Sequence, residues 1–243
     1  MTLDDTGSYT DNPPSPPPPG GLLPTSPAVP QVTKDSLRRD ALARRAVAAN
    51  RDEANRARTA LLLRELAGCH TVACYASLPD EPDTWPAIDA WHAGGARVLL
   101  PVLRRAPDWA WYAGREALRP SPWRGIAEPD TPRLGATALA AAEAIVLSGL
   151  AGCESGARLG TGGGWYDRAL AWASPTAVTI LLLDEADLVP YVPTDPWDRP
   201  VTMILTERRR IDCAASPPTD DNADQGGQMT FPHGNVMKSN HTR

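Results

Sequence analysis

Apolar and polar positions fall into two kinds of short run, and their alternation outlines a fold. HTVACYAS (residues 70–77), ARVLLP (96–101), AIVLSG (144–149), AVTILLL (177–183) and VTMILTE (201–207) are short apolar runs of the length and composition of buried strands. DWAWYAG (108–114) alternates with the period of two of a further strand. Between them lie stretches with helical character. Thr33 can cap a helix over KDSLRRDALARRAVAA (34–49), where Leu37, Ala41 and Ala48 lie roughly along one face. A second helix covers residues 51–66, with Ala57, Leu61 and Leu62 toward the core and Gly68 ending it. Further helices are expected at TWPAIDAWHA (84–93), stopped by Gly94 and Gly95, at TALAAAE (137–143) and at WYDRALAW (165–172). Strands alternating with helices predict an α/β fold: a three-layer sandwich whose central, largely parallel sheet is covered by helices on both faces.

Composition changes this picture mainly at the ends. Residues 1–31 are rich in Pro, Gly, Ser and Asp, and the segment beyond residue 214 is polar, so both are expected to be disordered arms around one domain at 32–214. PPSPPPP could form polyproline II and enter an SH3-like groove, although a plain tail is the simpler expectation. A net charge of -5 argues against general nucleic-acid affinity. The four cysteines have no CxxC spacing, which suggests neither a zinc site nor a disulfide framework and favours a reduced cytoplasm. No stretch of about 20 apolar residues is present to cross a bilayer, and no signal-peptide pattern opens the chain. A monomer is expected.

Candidate chemistry concentrates in ARLGTGGGWYDRAL (157–170). Gly160, Gly162, Gly163 and Gly164 let backbone N–H groups approach a ligand, and the helix that follows would favour an anion at its start. Arg158 and Arg168 add positive charge, and Asp167 offers a hard oxygen for the magnesium that accompanies a nucleotide. The string is not a Walker A loop, and glycines alone would equally suit a tight turn. Lys34 and Arg38 are four residues apart on one helix face, where they could embrace a polyphosphate or simply form a solvated basic face. Glu81 and Asp83 follow a strand's C-terminal end, where open α/β sheets bind ligands, though loop carboxylates usually just face water. His92 has no second histidine at a chelating spacing and is assigned to surface or packing.

The longer string RLGTGGGWYDR resembles the signature RLGxGxGxYDR of the 5-formyltetrahydrofolate cyclo-ligase family, also called 5,10-methenyltetrahydrofolate synthetases. Arg158, Leu159, Gly160, Gly162, Gly164, Tyr166, Asp167 and Arg168 match it, and the resemblance runs from about Lys34 to Glu207. Lys34 and Arg38 sit on the family's KxxxR helix. YASLPDEPDT carries Glu81 at the folate-contacting glutamate, with Ala76 bordering that site, and WRGIAEP matches GIxEP through Gly125, Ile126, Glu128 and Pro129. VPTDPWDRPV places Asp198 on an acidic position that joins Asp167 in holding magnesium. The chain departs from the family at Trp197, where many relatives have His, at Asp195 for Glu, at Thr202 for a late Asp, at Ser148 for a frequent Pro and at Cys153.

The resemblance implies ATP-dependent conversion of 5-formyltetrahydrofolate to 5,10-methenyltetrahydrofolate, with ADP and phosphate released. It assigns Lys34, Arg38, Arg158, Gly160, Thr161, Gly162, Gly163, Gly164, Trp165 and Tyr166 to ATP, with Arg158 and Tyr166 at the chemistry. Ala76, Glu81, Gly162, Gly163, Gly164, Trp165 and Tyr166 fall to the folate, and Asp167 and Asp198 to Mg2+. Tyr166 could pack on a flat ring, orient a phosphate or anchor the loop. The expected partners are ATP and a reduced folate, with no nucleic acid and no membrane. Two other readings exist: a non-catalytic relative that binds a ligand or RNA, and a sugar-phosphate enzyme on the same sheet. Retention of both Asp167 and Asp198 favours the ligase over the first, and a test for ATP dependence separates the second.

Overall fold

The computed structural model describes residues 32–47, 51–122 and 125–213; the two arms assigned to residues 1–31 and 215–243, and Ala48, lie outside the described residues. In chain order the elements are α1 (Lys34–Val47), α2 (Arg51–Glu65), β1 (Thr71–Cys74), α3 (Trp85–Ala93), β2 (Arg97–Pro101), β3 (Trp109–Trp111), β4 (Leu118–Pro120) and β5 (Ala127–Pro129). They continue with β6 (Ala144–Ser148), β7 (Ala151–Gly152), β8 (Arg158–Leu159), α4 (Trp165–Leu170), β9 (Val178–Leu182), β10 (Met203–Leu205) and β11 (Arg210–Asp212).

Seven strands form one sheet in the order β11-β10-β9-β6-β1-β2-β3. The five central strands are parallel, and β3 and β11 close the two edges antiparallel. Alternation along these strands produces two apolar faces. Val72, Cys74, Val98, Leu100, Val146 and Ile180 bury under Leu62 of α2, Leu66 just after it, and Ile88 and Trp91 of α3. Ala73, Leu99, Ile145, Leu147, Leu181 and Ile204 bury under Ala169 and Leu170 of α4 and under Leu139 of a 3-10 segment, Ala136–Ala141. The result is the expected three-layer α/β arrangement. α1 stands apart from both layers: its Leu37 packs on Ala151 and Leu159 of the small β7–β8 hairpin, which follows β6 directly. Thr33 begins α1 as a reciprocal cap, its Oγ1 accepting the Ser36 N–H at 3.1 Å while Ser36 Oγ accepts the Thr33 N–H at 3.1 Å.

Several local expectations differ from the structure. TALAAAE forms 3-10 turns rather than an α-helix, because Gly135 (φ 79°) fixes its start and Glu143 already pairs with Thr71, which leaves too few residues for an α-helical nucleus. The buried residues of α2 are Arg58 and Leu62, with Leu66 buried just beyond its end, whereas Ala57 and Leu61 are only half-buried. Arg58 displaces them because its guanidinium finds partners inside: Leu183 O at 3.0 Å, Asn55 Oδ1 at 2.6 Å, Glu207 Oε2 at 3.4 Å, and Asp184. α4 ends at Leu170, and Trp172 lies beyond it, half-exposed. β11 and the β4–β5 and β7–β8 hairpins add pairings within segments read as loop or strand end.

Candidate active site

Loops leaving the C-terminal ends of β1, β2 and β6 surround a cavity of about 890 Å³, walled on one side by α1 and on another by the glycine loop. That volume suits a ligand of drug size or larger. Lys34, Arg38, Glu81, Arg158, Gly160, Thr161, Gly162, Gly163, Gly164, Trp165, Tyr166, Asp167 and Asp198 all line it. Residues spread over more than 160 positions of the chain therefore converge on one space, as parallel sheets arrange at their C-terminal edge. Ala76 is the exception. It is buried beside Tyr75 and does not line the cavity.

The glycine loop turns through two left-handed residues, Gly162 (φ 100°) and Gly164 (φ 58°), conformations that side chains with a Cβ rarely adopt. Two arginines tie its carbonyls: Arg38 Nε donates to Gly160 O at 3.1 Å, and Arg168 donates to Gly163 O at 3.0 Å. α4 supplies fewer than two turns behind the loop, so any anion would be held chiefly by the loop and its cations.

Two further cations of the cavity wall, Lys34 and Arg158, are paired with the two candidate metal carboxylates. Lys34 Nζ donates to Asp195 Oδ2 at 2.5 Å and to Asp198 Oδ2 at 2.6 Å, and the Asp195 N–H donates to the same Asp198 oxygen at 2.8 Å. Burial alone would lower the Lys34 pKa, but its bonds to Asp195 and Asp198 outweigh that and raise it. Burial likewise pushes the Asp198 carboxyl up, and the Lys34 bond, the Asp195 N–H and the charges of Lys34 and Arg158 bring it below the usual value. Arg158 donates to Asp167 Oδ1 at 2.5 Å, and its Nε is buried with no hydrogen-bond partner among the described residues.

Tyr166 packs edge-on against Trp165 at 5.2 Å. Burial, with the charge of Glu81 adding to it, raises its hydroxyl pKa strongly, so the group is a neutral donor at any physiological pH. Its contacts with both apolar layers make it an anchor of the loop as well as a wall of the cavity. Glu81 Oε2 accepts the Leu78 N–H at 3.0 Å, and its charge also raises the pKa of Tyr75. Asp83 serves structure: it accepts from Ser77 Oγ and the Trp85 N–H, both at 3.0 Å. His92 stacks edge-on against Tyr112 at 5.1 Å, as a packing residue.

The sequence profile described as the 5-formyltetrahydrofolate cyclo-ligase family matches residues 30–207, well over half of the chain. The chain belongs to that family. It is 36% identical over 148 residues to the 5-formyltetrahydrofolate cyclo-ligase of Mycolicibacterium smegmatis, covering 58% of this chain and 75% of the relative. It is 32% identical over 142 residues to the Escherichia coli (strain K12) protein of the same name, covering 56% and 78%. Among solved structures, 5,10-methenyltetrahydrofolate synthetase of Aquifex aeolicus superposes with a TM-score of 0.65 at 21% identity, over 78% of this chain and 97% of that one. The Mycoplasma pneumoniae synthetase gives 0.58 at 16% identity, over 72% and 99%. These two share the fold.

Within this cyclo-ligase the departures from the family pattern occupy distinct places. Asp195 takes a share of Lys34, Ser148 lines the cavity, Cys153 is buried, and Thr202 Oγ1 accepts the Thr179 N–H at 2.9 Å between strands. Trp197 lines the cavity and is exposed. In the GIxEP segment Ile126 lines the cavity, while Glu128 is fully buried and accepts the Leu103 N–H at 2.8 Å and Arg104 at 3.1 Å. Glu128 thereby steers Arg104, a wall residue, from behind.

Sequence reasoning missed Arg45, Arg104 and Arg105, all of which line the cavity. Arg45 was detectable by extending the face of Lys34 and Arg38 through Ala41, since positions 34, 38, 41 and 45 share one helix stripe. Its guanidinium donates to Gly149 O and lies 3.6 Å from buried Asp187, which Arg44 also holds at 2.9 Å. Arg104 and Arg105 follow a strand end and carry no local signal.

Among the described residues no cluster of three or more His, Cys, Asp or Glu side chains forms a metal cage, and no helix is long and apolar enough to cross a membrane. Asp167 and Asp198 both line the cavity as hard oxygen donors of the kind magnesium takes, each paired with a cation, Arg158 and Lys34.

Proposed function

We propose that this cyclo-ligase converts 5-formyltetrahydrofolate and ATP to 5,10-methenyltetrahydrofolate, ADP and phosphate. The observation that carries the reading is the meeting, in one cavity, of an anion-type glycine loop with Lys34, Arg38 and Arg158 on one side and Glu81 on another. The formyl oxygen is a poor leaving group, and closing the ring from N10 requires its activation. Transfer of the γ-phosphoryl group to that oxygen makes it one. N10 then attacks the formyl carbon, the C–O bond breaks, the oxygen departs on inorganic phosphate, and the N10 proton leaves with that phosphate.

Such a transfer asks for positioning and charge neutralisation more than for acid or base catalysis. Lys34, Arg38 and Arg158 would hold the phosphates against the N–H groups of the loop. Each cation has a protein partner, so it is already oriented when a phosphate competes for it. Tyr166 stays protonated and would donate to an oxygen of the reacting group rather than remove a proton. Glu81 would accept from the donor-rich edge of the pterin. A magnesium ion held by Asp167 and Asp198 would supply further neutralisation of phosphate charge. We expect the enzyme to act as a cytoplasmic monomer.

The test is formation of the methenyl product, followed by its absorbance, in mixtures of purified protein, 5-formyltetrahydrofolate, ATP and magnesium. Product should appear only in the complete mixture. Product without ATP, or none in the complete mixture, would refute the proposal.

A further inference from the structure

We propose that the indole of Trp197 stacks on the purine of the bound nucleotide and selects for a base-bearing triphosphate; this rests on the reading of the cavity as an ATP site. Trp197 lines the cavity and is 69% exposed, the one large apolar side chain of the described cavity wall left this open. It sits in a fixed turn. The Asp198 N–H donates to Asp195 O at 2.9 Å, the Asp195 N–H donates to Asp198 Oδ2 at 2.8 Å, and both carboxylates grip Lys34. A turn braced in this way presents the intervening side chain without further cost in backbone order.

Depth along α1 then assigns the ligand. Side-chain exposure is 22% at Lys34 and 5% at Arg45, so the first turn of α1, bonded to the turn that carries Trp197, is the rim, and Gly149, which accepts from Arg45, lies toward the floor. The polyphosphate has its partners at Lys34, Arg38 and the glycine loop. The pterin has a polar partner at Glu81, on the loop after β1. Two flat groups then remain, the purine and the p-aminobenzoyl ring of the folate, and the indole goes to the purine because its turn is bonded to Lys34, a polyphosphate cation, whereas the folate has its polar partner on the loop after β1.

The experiment measures equilibrium binding of ATP and of inorganic tripolyphosphate, with magnesium, to the full chain and to its Trp197→Ala and Trp197→Phe variants. Base–aromatic stacking predicts that Trp197→Ala weakens ATP by roughly fivefold to a hundredfold. Tripolyphosphate should change by less than about twofold, since it has no base to lose the contact. Trp197→Phe, which keeps a ring, should fall between. Unchanged ATP affinity in Trp197→Ala would overturn the inference. An equal loss for tripolyphosphate would also overturn it, by making Trp197 a brace for Lys34. If the wild-type chain binds neither ligand, the nucleotide reading of the cavity fails first and the inference with it.

Discussion

The Lys34 ammonium lies 2.6 Å from Asp198 Oδ2, joining the first turn of α1 to a loop 164 residues further on. This bond closes the rim of the cavity and couples a phosphate-type cation to a metal-type carboxylate. The coupling has a pH signature. Lys34 has a raised pKa, so its contribution is present below the ordinary lysine value of 10.5 and is lost as pH rises through the folded value above it. Asp198 has a depressed pKa, so its contribution is present above the ordinary value of 3.8 and is lost as pH falls through the folded value below it. Asp198→Asn should therefore be less stable than wild type across the neutral range, and the gap should close in acid. A gap independent of pH, measured by denaturant unfolding, would exclude this role for the pair.

Activity should require a divalent cation through Asp167 and Asp198. Asp167→Asn and Asp198→Asn should each lose turnover by on the order of a hundredfold. Full activity in EDTA, or wild-type rates in both variants, would remove the metal assignment.

Nucleotide and folate should separate by residue. Lys34→Ala and Arg38→Ala should raise the KM for ATP with little effect on folate, while Glu81→Gln should raise the KM for folate by roughly tenfold to a hundredfold and spare ATP. Steady-state kinetics with each substrate varied in turn decides this; equal shifts in both constants would show that the cavity is not divided in this way.

Arg58 should matter for stability far more than its place in a helix pattern suggests. Its side chain is 2% exposed and bridges α2 to the ends of β9 and β10 through Leu183, Asp184 and Glu207. Arg58→Met leaves two carboxylates without their partner and should cost about 3 kcal/mol or more, a fall in Tm on the order of 10 °C. A change of only a degree or two in calorimetry would mean that water replaces the network.

The contrast between Arg58 and Gly162 explains how much was legible beforehand. The buried strands, the sheet class and the glycine loop were readable because apolar runs and clustered glycines each report one local requirement, and Gly162 does adopt φ 100°. Arg58 was not, since its burial depends on a carbonyl and a carboxylate from a distant segment, at Leu183 and Asp184; for Arg45 the stripe through Lys34, Arg38 and Ala41 points to its helix face but not to its burial against Gly149 and Asp187. Hydrophobic periodicity counts such residues as solvent-facing. β7, β8 and β11 escaped notice because two or three residues are too few to show a period. Within the site, spacing in the chain linked Lys34 to Arg38, but only the fold reveals that Lys34 spends its charge on Asp195 and Asp198.

The central claim is that the formyl oxygen leaves as part of phosphate. It is tested most directly by following that atom: the reaction is run with 5-formyltetrahydrofolate carrying oxygen-18 in the formyl group, and the inorganic phosphate is examined by mass spectrometry. Phosphoryl activation predicts one labelled oxygen in each phosphate released. Label recovered in water, with unlabelled phosphate, would contradict it.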